Sequence, residues 1–379
     1  MEELDLRLRA DGVRTIAVSN RCPGWVRGAD MVLTTWRRRR DFDLAIVDLF
    51  SGRAFLWGEA VCGLLRRFRK PHLVVLRGGG LPGFARGRER RVRRLLEGAT
   101  VVAAPSRYLQ EQMKTYRSDI ELLPNALDLG SYAFRPRELA HPRLVWLRAF
   151  HRIYNPLLAP RVVALLAEKF PDVSLVMVGR DKGDGSLQET QELAQRLGVT
   201  ARVSFPGGVS KAAVPGWLNR GDIFLNTTDV DNTPVSVLEA MACGMCVVST
   251  DVGGLPYLLE DGRTALLVPP DDPIAMAGAV RRLLERPELS ERLSRSARQA
   301  AEAFQWGEIL PNWEALLREV AHSRAGVPEG SRATEASHDG RFDGLYRRIR
   351  RSSSGAEPMG GSRKEFGRRA NGPGDSAPL

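Results

Sequence analysis

Short, strand-like apolar runs alternate with helical stretches along most of this chain, and that alternation leaves few folds open. Residues 15–19, 44–48, 73–76 and 100–103 are continuous runs rich in β-branched residues, the pattern of strands buried inside a parallel sheet. A helical stretch over 53–70 carries Phe55, Leu56, Val61, Leu64, Leu65 and Phe68 as an apolar stripe, expected to pack on that sheet. Residues 129–141 interrupt the periodicity with Gly, Pro and mixed charge, as a linker does. The alternation restarts with strands at 143–147, 173–178, 203–205, 222–225 and 246–250, and with helices at 157–170, 188–197, 273–286 and 288–303. These observations predict an α/β chain of two parallel-sheet units, 1–135 and 136–320. From about residue 321 onward Gly, Ser, Pro and Arg displace apolar residues, so 321–379 are expected to form a disordered basic tail.

The net charge is +11, and residues 1–100 hold 21 Lys and Arg against 11 Asp and Glu. Such a field favours polyanions: an acidic membrane surface, a phosphorylated substrate or nucleic acid. No zinc finger, aromatic RNA-binding pattern or helix-turn-helix accompanies it, so no specific nucleic acid is expected. The acidic start and the lack of a long apolar run predict a soluble, cytoplasmic chain, with peripheral contact at the inner membrane surface through the basic first unit. Cys243 and Cys246 form a CxxC without a second pair or a nearby His, so buried structural thiols are expected and no metal site is assigned.

Residues 226–242 hold the most informative chemistry. Thr233 is expected to cap a helix that has Pro234 in its first turn and ends at Gly244. The start of that helix follows a strand and a polar loop, a place where backbone N–H groups favour a phosphate. Glu239 lies more than a turn into the helix, and Asp231 stands in the loop eight positions before it. One carboxylate can face a sugar while the other reaches a ribose.

The run Glu-Ala-Met-Ala-Cys-Gly-Met-Cys-Val-Val-Ser-Thr-Asp-Val-Gly-Gly-Leu-Pro, from Glu239 to Pro256, resembles the retaining glycosyltransferases of family 4, which have the GT-B fold. The segment Asp261-Gly-Arg-Thr-Ala-Leu-Leu-Val-Pro-Pro, the triplet Phe304-Gln-Trp306, and Leu122-Leu-Pro-Asn-Ala-Leu-Asp128 following Ala104-Pro-Ser106 are similar to further landmarks of that family. The likeness is good over 99–320 and loose over 10–98. It implies two Rossmann-like domains with parallel sheets facing across a cleft, the nucleotide sugar held mainly by the second and the acceptor by the first. It also implies that no metal or other cofactor is needed, because basic side chains and a helix N-terminus stabilise the departing diphosphate. Carried over, Glu239 matches the second Glu of the family's Glu-x7-Glu motif and bonds the ribose, and Asp231 stands at the first Glu, near the donor sugar. Asn232, Thr233, Pro234 and Val235 hold sugar and diphosphate, Arg148 binds phosphate, and Gly179 brings the chain close to the nucleotide.

The chain departs from that pattern in four places, the first being Asp231 itself, shorter than the family's Glu by a methylene. Where the family places a Lys-Gly pair after the phosphate-binding Arg, this sequence has His151-Arg-Ile-Tyr-Asn-Pro156, leaving Arg152 or Lys182 as substitutes. Arg77, Gly78 and Gly79 stand on the acceptor side where a His before a Gly is usual, with Arg77 facing either an acidic acceptor or the donor. The chain also begins inside what looks like the family's first helix, so the first domain is expected to lack its first strand: either translation starts upstream or that domain is impaired. The function expected is retaining transfer from a UDP- or GDP-sugar to an unidentified acceptor, such as a cell-surface glycan, a lipid-linked precursor or a small molecule. The alternative is a non-catalytic relative that binds nucleotide sugars or serves as a scaffold.

Overall fold

A computed structural model describes residues 2–18 and 24–322. The first sheet holds β1 (Ala45–Leu49), β2 (His72–Leu76), β3 (Val101–Ala104) and β4 (Ile120–Leu122), all parallel and in the order β1-β2-β3-β4. The second holds β5 (Arg143–Leu147), β6 (Ser174–Val178), β7 (Val203–Gly207), β8 (Ile223–Asn226), β9 (Cys246–Thr250) and β10 (Leu266–Val268). Its order is β10-β9-β8-β5-β6-β7, again parallel throughout. Strand order therefore reverses between β5 and β8, and the crevice beyond the carboxyl ends of those two strands is a topological switch point, where ligands of open α/β sheets bind.

Each sheet is covered on both faces. Trp146, Leu175, Met177 and Val248 face one core of the second sheet, while Val145, Phe224 and Val247 face the other with Leu238 and Met241. In the first half, the helix Arg53–Arg67 lays Phe55, Val61 and Leu65 on Val47, Val74 and Leu76, as its stripe predicted, although Leu56 points outward. The opposite face of that sheet is covered by the first and last described helices. Leu4 and Leu8 of the helix Glu2–Ala10 pack with Ile309, Trp313 and Leu316 of the helix Trp306–His322 against Leu73, Val75 and Ala103.

One predicted strand is absent. Residues 15–18 are irregular, with Ile16 and Val18 exposed, and Ser19 lies outside the described residues. The backbone there is engaged by a helix instead of a sheet: Arg9 donates to the hydroxyl of Thr15 at 2.7 Å and to its carbonyl at 3.4 Å. Of the tail, only residues 321 and 322 are described, and they finish the last helix; 323–379 and Cys22 lie outside the description. Among the described residues no helix is long and apolar enough to cross a membrane.

The linker is tied down by charge. Asp222, wholly buried just before β8, accepts from Arg135 at 2.7 Å, Arg143 at 2.8 Å and the His141 amide at 3.1 Å, and Arg137 stands 3.5 Å away. Burial pushes the Arg137 guanidinium down to about 10, helped by the neighbouring Arg135.

Cys243 closes a helix, Cys246 opens β9, and both are buried and unpaired, as is Cys62. Burial raises their thiols, Cys243 to about 11 and Cys62 and Cys246 to about 12, so thiolate is scarce at neutral pH. Alkylation of these three at pH 8 should therefore proceed only as fast as the protein opens. Peptide mapping that finds Cys243 or Cys246 modified within seconds in native buffer would contradict this.

Candidate active site

Beyond β5 the chain turns at Arg148, whose amide donates to the Val178 carbonyl at 3.1 Å. This close approach needs Gly179: a Cβ there would stand 1.6 Å from the Arg148 carbonyl oxygen. Gly179 therefore lets the ends of β5 and β6 converge and sets the position of Arg148. It does not itself line the cavity described below.

Beyond β8, residues 227–234 cross the switch point. Thr227 receives a hydrogen bond from the Trp146 indole at 2.8 Å and donates to the Tyr154 carbonyl at 2.7 Å, and the Asp229 amide donates to Ile153 at 2.9 Å. The loop and the segment after β5 are thus one bonded unit. Asp231 is the ion-pair partner of Arg148, and the Arg148 guanidinium also lies 4.3 Å from the centre of the Tyr154 ring. The Asp231 carboxylate further accepts from the Asn232 amide at 2.8 Å.

The next helix runs Val235–Ala242. Its cap position is Pro234, with no side-chain cap, which corrects the expectation of Thr233 as cap and Pro234 within the first turn. Thr233 serves the other half of the molecule instead, its hydroxyl donating to the Pro105 carbonyl at 3.4 Å. The Val237 amide already donates to the Pro234 carbonyl at 3.1 Å, so with no capping side chain it is the N–H groups of Val235 and Ser236 that remain available to a ligand.

The first half closes over this loop. Asn125 donates to the Thr233 carbonyl at 3.2 Å and accepts from Arg77 at 2.8 Å, while Arg77 also bonds Asp48 at 2.8 Å. Ser106 bonds Asn232, and Tyr257 donates to Glu111 at 2.7 Å. A Cβ on Gly79 would stand 2.6 Å from the Asp231 carbonyl carbon, so the two backbones touch where a side chain would part them. Between the halves is a cavity of about 200 Å³, with Arg77, Gly78, Pro105 and Asn125 on one wall and Arg148, Tyr154 and residues 231–235 on the other.

The structure thus brings Arg148, Asp231, Asn232, Thr233, Pro234, Val235, Arg77 and Gly78 to one cavity. Gly79 backs its wall without lining it. Lys182 is exposed and away from the cavity, and Arg152 pairs with Glu189, so neither proposed substitute for the missing Lys reaches it. Glu239 lies one turn deeper, buried and off the cavity wall, with one oxygen accepting from the Tyr132 hydroxyl at 2.7 Å. Burial raises the Glu239 carboxyl and the Tyr132 bond partly offsets this, so the group stays above the ordinary carboxylate value. Asn125, Tyr154 and Tyr132 are functional candidates that the sequence reading did not assign. Asn125 lies in the Leu122–Asp128 segment and Tyr154 in the stretch that departs from the family, but neither has a periodic or chemical signature of its own.

Comparison with known proteins bears on this site. Residues 142–300 match the family of glycosyl transferases group 1. A D-inositol 3-phosphate glycosyltransferase of Streptomyces avermitilis is 34% identical over 187 residues, spanning 47% of this chain and 40% of that protein. One from Arthrobacter is 28% identical over 266 residues, spanning 66% of this chain and 63% of that protein. The chain thus spans less than two thirds of the length of these curated relatives. Among solved structures, sucrose-phosphate synthase of Thermosynechococcus elongatus superposes with a TM-score of 0.68 at 20% identity, covering 79% of each chain. Anabaena HepE, in complex with UDP-glucose, superposes at 0.66 with 18% identity, covering 83% of this chain and 88% of that one. The fold is GT-B, as the family resemblance implied, and its two parallel sheets are those the alternation predicted.

Proposed function

We propose that this chain, which carries a glycosyl transferases group 1 unit over residues 142–300, transfers a sugar from a nucleoside diphosphate donor to an acceptor hydroxyl with retention of configuration. The observation that carries this reading is the convergence of Arg148 and the uncapped helix start at Val235 on one cavity at the switch point. Breaking the bond between donor sugar and diphosphate builds charge on the phosphate oxygens. Fixed donors and cations aimed at that charge lower the barrier.

Arg148 approaches from the end of β5, and Arg77 is the second cation on the cavity walls. Asn125 holds Arg77 while bonding the residue before Pro234, which places that guanidinium near the helix start. We assign Arg77 the work of the missing Lys, and this charge stabilisation uses no metal ion. The donor is a UDP- or GDP-sugar; HepE was solved with UDP-glucose, which favours UDP. A cavity of about 200 Å³ is smaller than the roughly 300–1,000 Å³ of small-molecule sites, so the two halves part to admit the donor and close on it. The acceptor enters from the first half and presents its hydroxyl beside Arg77 and Asn125.

Thermal shift with UDP, GDP and ADP, followed by nucleotide release from UDP- and GDP-sugars, tests the reading. A bound nucleotide at 100 times its Kd adds about 2.7 kcal/mol. No shift with any nucleotide removes the proposal, whereas binding without release of nucleotide on any donor identifies a non-catalytic binder.

Glu239 supplies a separate check. We assign its second oxygen to a ribose hydroxyl. A carboxyl raised in the folded state destabilises that state above its folded value, and the penalty disappears below the unfolded value of 4.5. Glu239→Gln should therefore stabilise the unliganded protein at pH 7, lose that advantage toward pH 4.5, and weaken UDP binding about tenfold or more. Unchanged UDP affinity in this variant would take the ribose away from Glu239.

A further inference from the structure

We infer that the helix Gly24–Arg37 and the basic turn after it dock this chain onto an anionic lipid surface. The helix has two sides. Gly28, Met31, Val32 and Thr35 face inward: a Cβ on Gly28 would stand 2.1 Å from the Trp57 indole, and Met31 and Val32 pack against the core of the first sheet. Trp25, Ala29, Leu33 and Trp36 recur at the i, i+4, i+8, i+11 spacing of a single outward stripe. On that stripe Trp25 is 70% exposed, Trp36 50% and Leu33 42%. A surface tryptophan alone needs no explanation, but two with a leucine along one helix side form a binding face.

Charge identifies the occupant. Arg37, Arg38 and Arg40 are exposed at the carboxyl end of the stripe, and the Arg39 guanidinium stacks 5.4 Å from the Trp36 ring. Among neighbouring acids, Asp41 is 3.4 Å from Arg38. The first hundred residues carry 21 basic against 11 acidic side chains. Tryptophan with flanking arginine suits the bilayer boundary, where the indole lies among headgroups and acyl chains and the guanidinium pairs with lipid phosphate. Near an anionic leaflet each such cation adds to the attraction. The inference is independent of the sugar-transfer reading, because no residue of this helix touches the cavity.

Flotation of the full chain with vesicles of phosphatidylcholine, alone or with about 30% phosphatidylglycerol, tests it. The unmodified chain should float with the anionic vesicles only and detach as salt rises to about 0.5 M. Trp25→Ala combined with Trp36→Ala should lower the partition coefficient about tenfold or more, with circular dichroism and UDP thermal shift unchanged. Every other basic segment is intact in that variant, so the loss assigns binding to this helix. The inference is overturned by absence of flotation, by equal flotation of the double variant, or by sedimentation showing a dimer that the double variant abolishes.

Discussion

Arg148→Ala should lower the proposed turnover of a nucleoside diphosphate sugar by about two to three orders of magnitude, the loss typical of removing one fixed donor to a developing oxyanion. Two effects combine. The guanidinium proposed to meet the leaving diphosphate is gone, and Asp231 is left on the cavity wall without its ion-pair partner. The second effect can be measured: adding Asp231→Asn to Arg148→Ala should recover part of the loss, so the two changes are not additive. Arg148→Lys keeps the charge but loses the planar stack on Tyr154 and should fall between. Arg77→Ala, from the opposite wall, should cost less and show mainly in binding of UDP compared with uridine. Steady-state release of UDP measures all four variants. Turnover of Arg148→Ala within about twofold of the unmodified chain would show that the leaving group is stabilised elsewhere.

Asp222→Ala destabilises the fold by about 3–5 kcal/mol, the cost of leaving buried partners uncompensated. That is a large part of the roughly 5–15 kcal/mol that typically holds a domain folded. The carboxylate joins Arg135 and the His141 amide of the linker to Arg143 at the head of β5, and removing it leaves Arg137 buried with neighbours of like charge. Asp222→Asn keeps an acceptor and should lose less. The pH dependence follows from the sign of the shift. Burial raises the Asp222 carboxyl, but the bonds from Arg143, Arg135 and the His141 amide outweigh it and hold it below 3.8. The stabilisation is complete above that unfolded value and disappears as the pH falls through the folded one. The gap between the unmodified chain and Asp222→Asn should therefore narrow below pH 3.8 in urea titrations. A gap constant from pH 7 to pH 2.5 would count against this account.

Five of the six strands of the second half were legible in the sequence to within two residues, and β10 was missed. Expected strands at 143–147 and 246–250 coincide with β5 and β9, because a strand covered on both faces must be apolar throughout and is bounded by the polar residues that leave the sheet. The run at 15–19 has the same composition and forms no strand over 15–18. Composition states a preference, and a strand exists only where a neighbour offers its backbone; here Arg9 takes the Thr15 carbonyl instead. The site divides in the same way. Arg148, Asp231 and the residues after it were found through the family resemblance, whose motifs lie beside strand ends within one half. Asn125 reaches across the cleft to Thr233, 108 positions away, and Tyr132 to Glu239, 107 positions away. Such roles arise only when the halves meet, and no local pattern announces them. Thr233 was misplaced for a related reason: a threonine before a proline suits a cap, but its hydroxyl found a carbonyl in the other half.

The placement of the helix Trp306–His322 on the first sheet has a consequence for how the protein is made. β4 ends at Leu122, so roughly 200 residues must still be translated before that helix is complete, about ten to forty seconds at ordinary ribosomal speed. Throughout that interval, among the described residues, the short helix Glu2–Ala10 is the helix that shields Leu73, Val75 and Ala103 from water. The nascent first half should thus be a client for chaperones, and a product that stops short of Trp306 should aggregate instead of forming a spare domain.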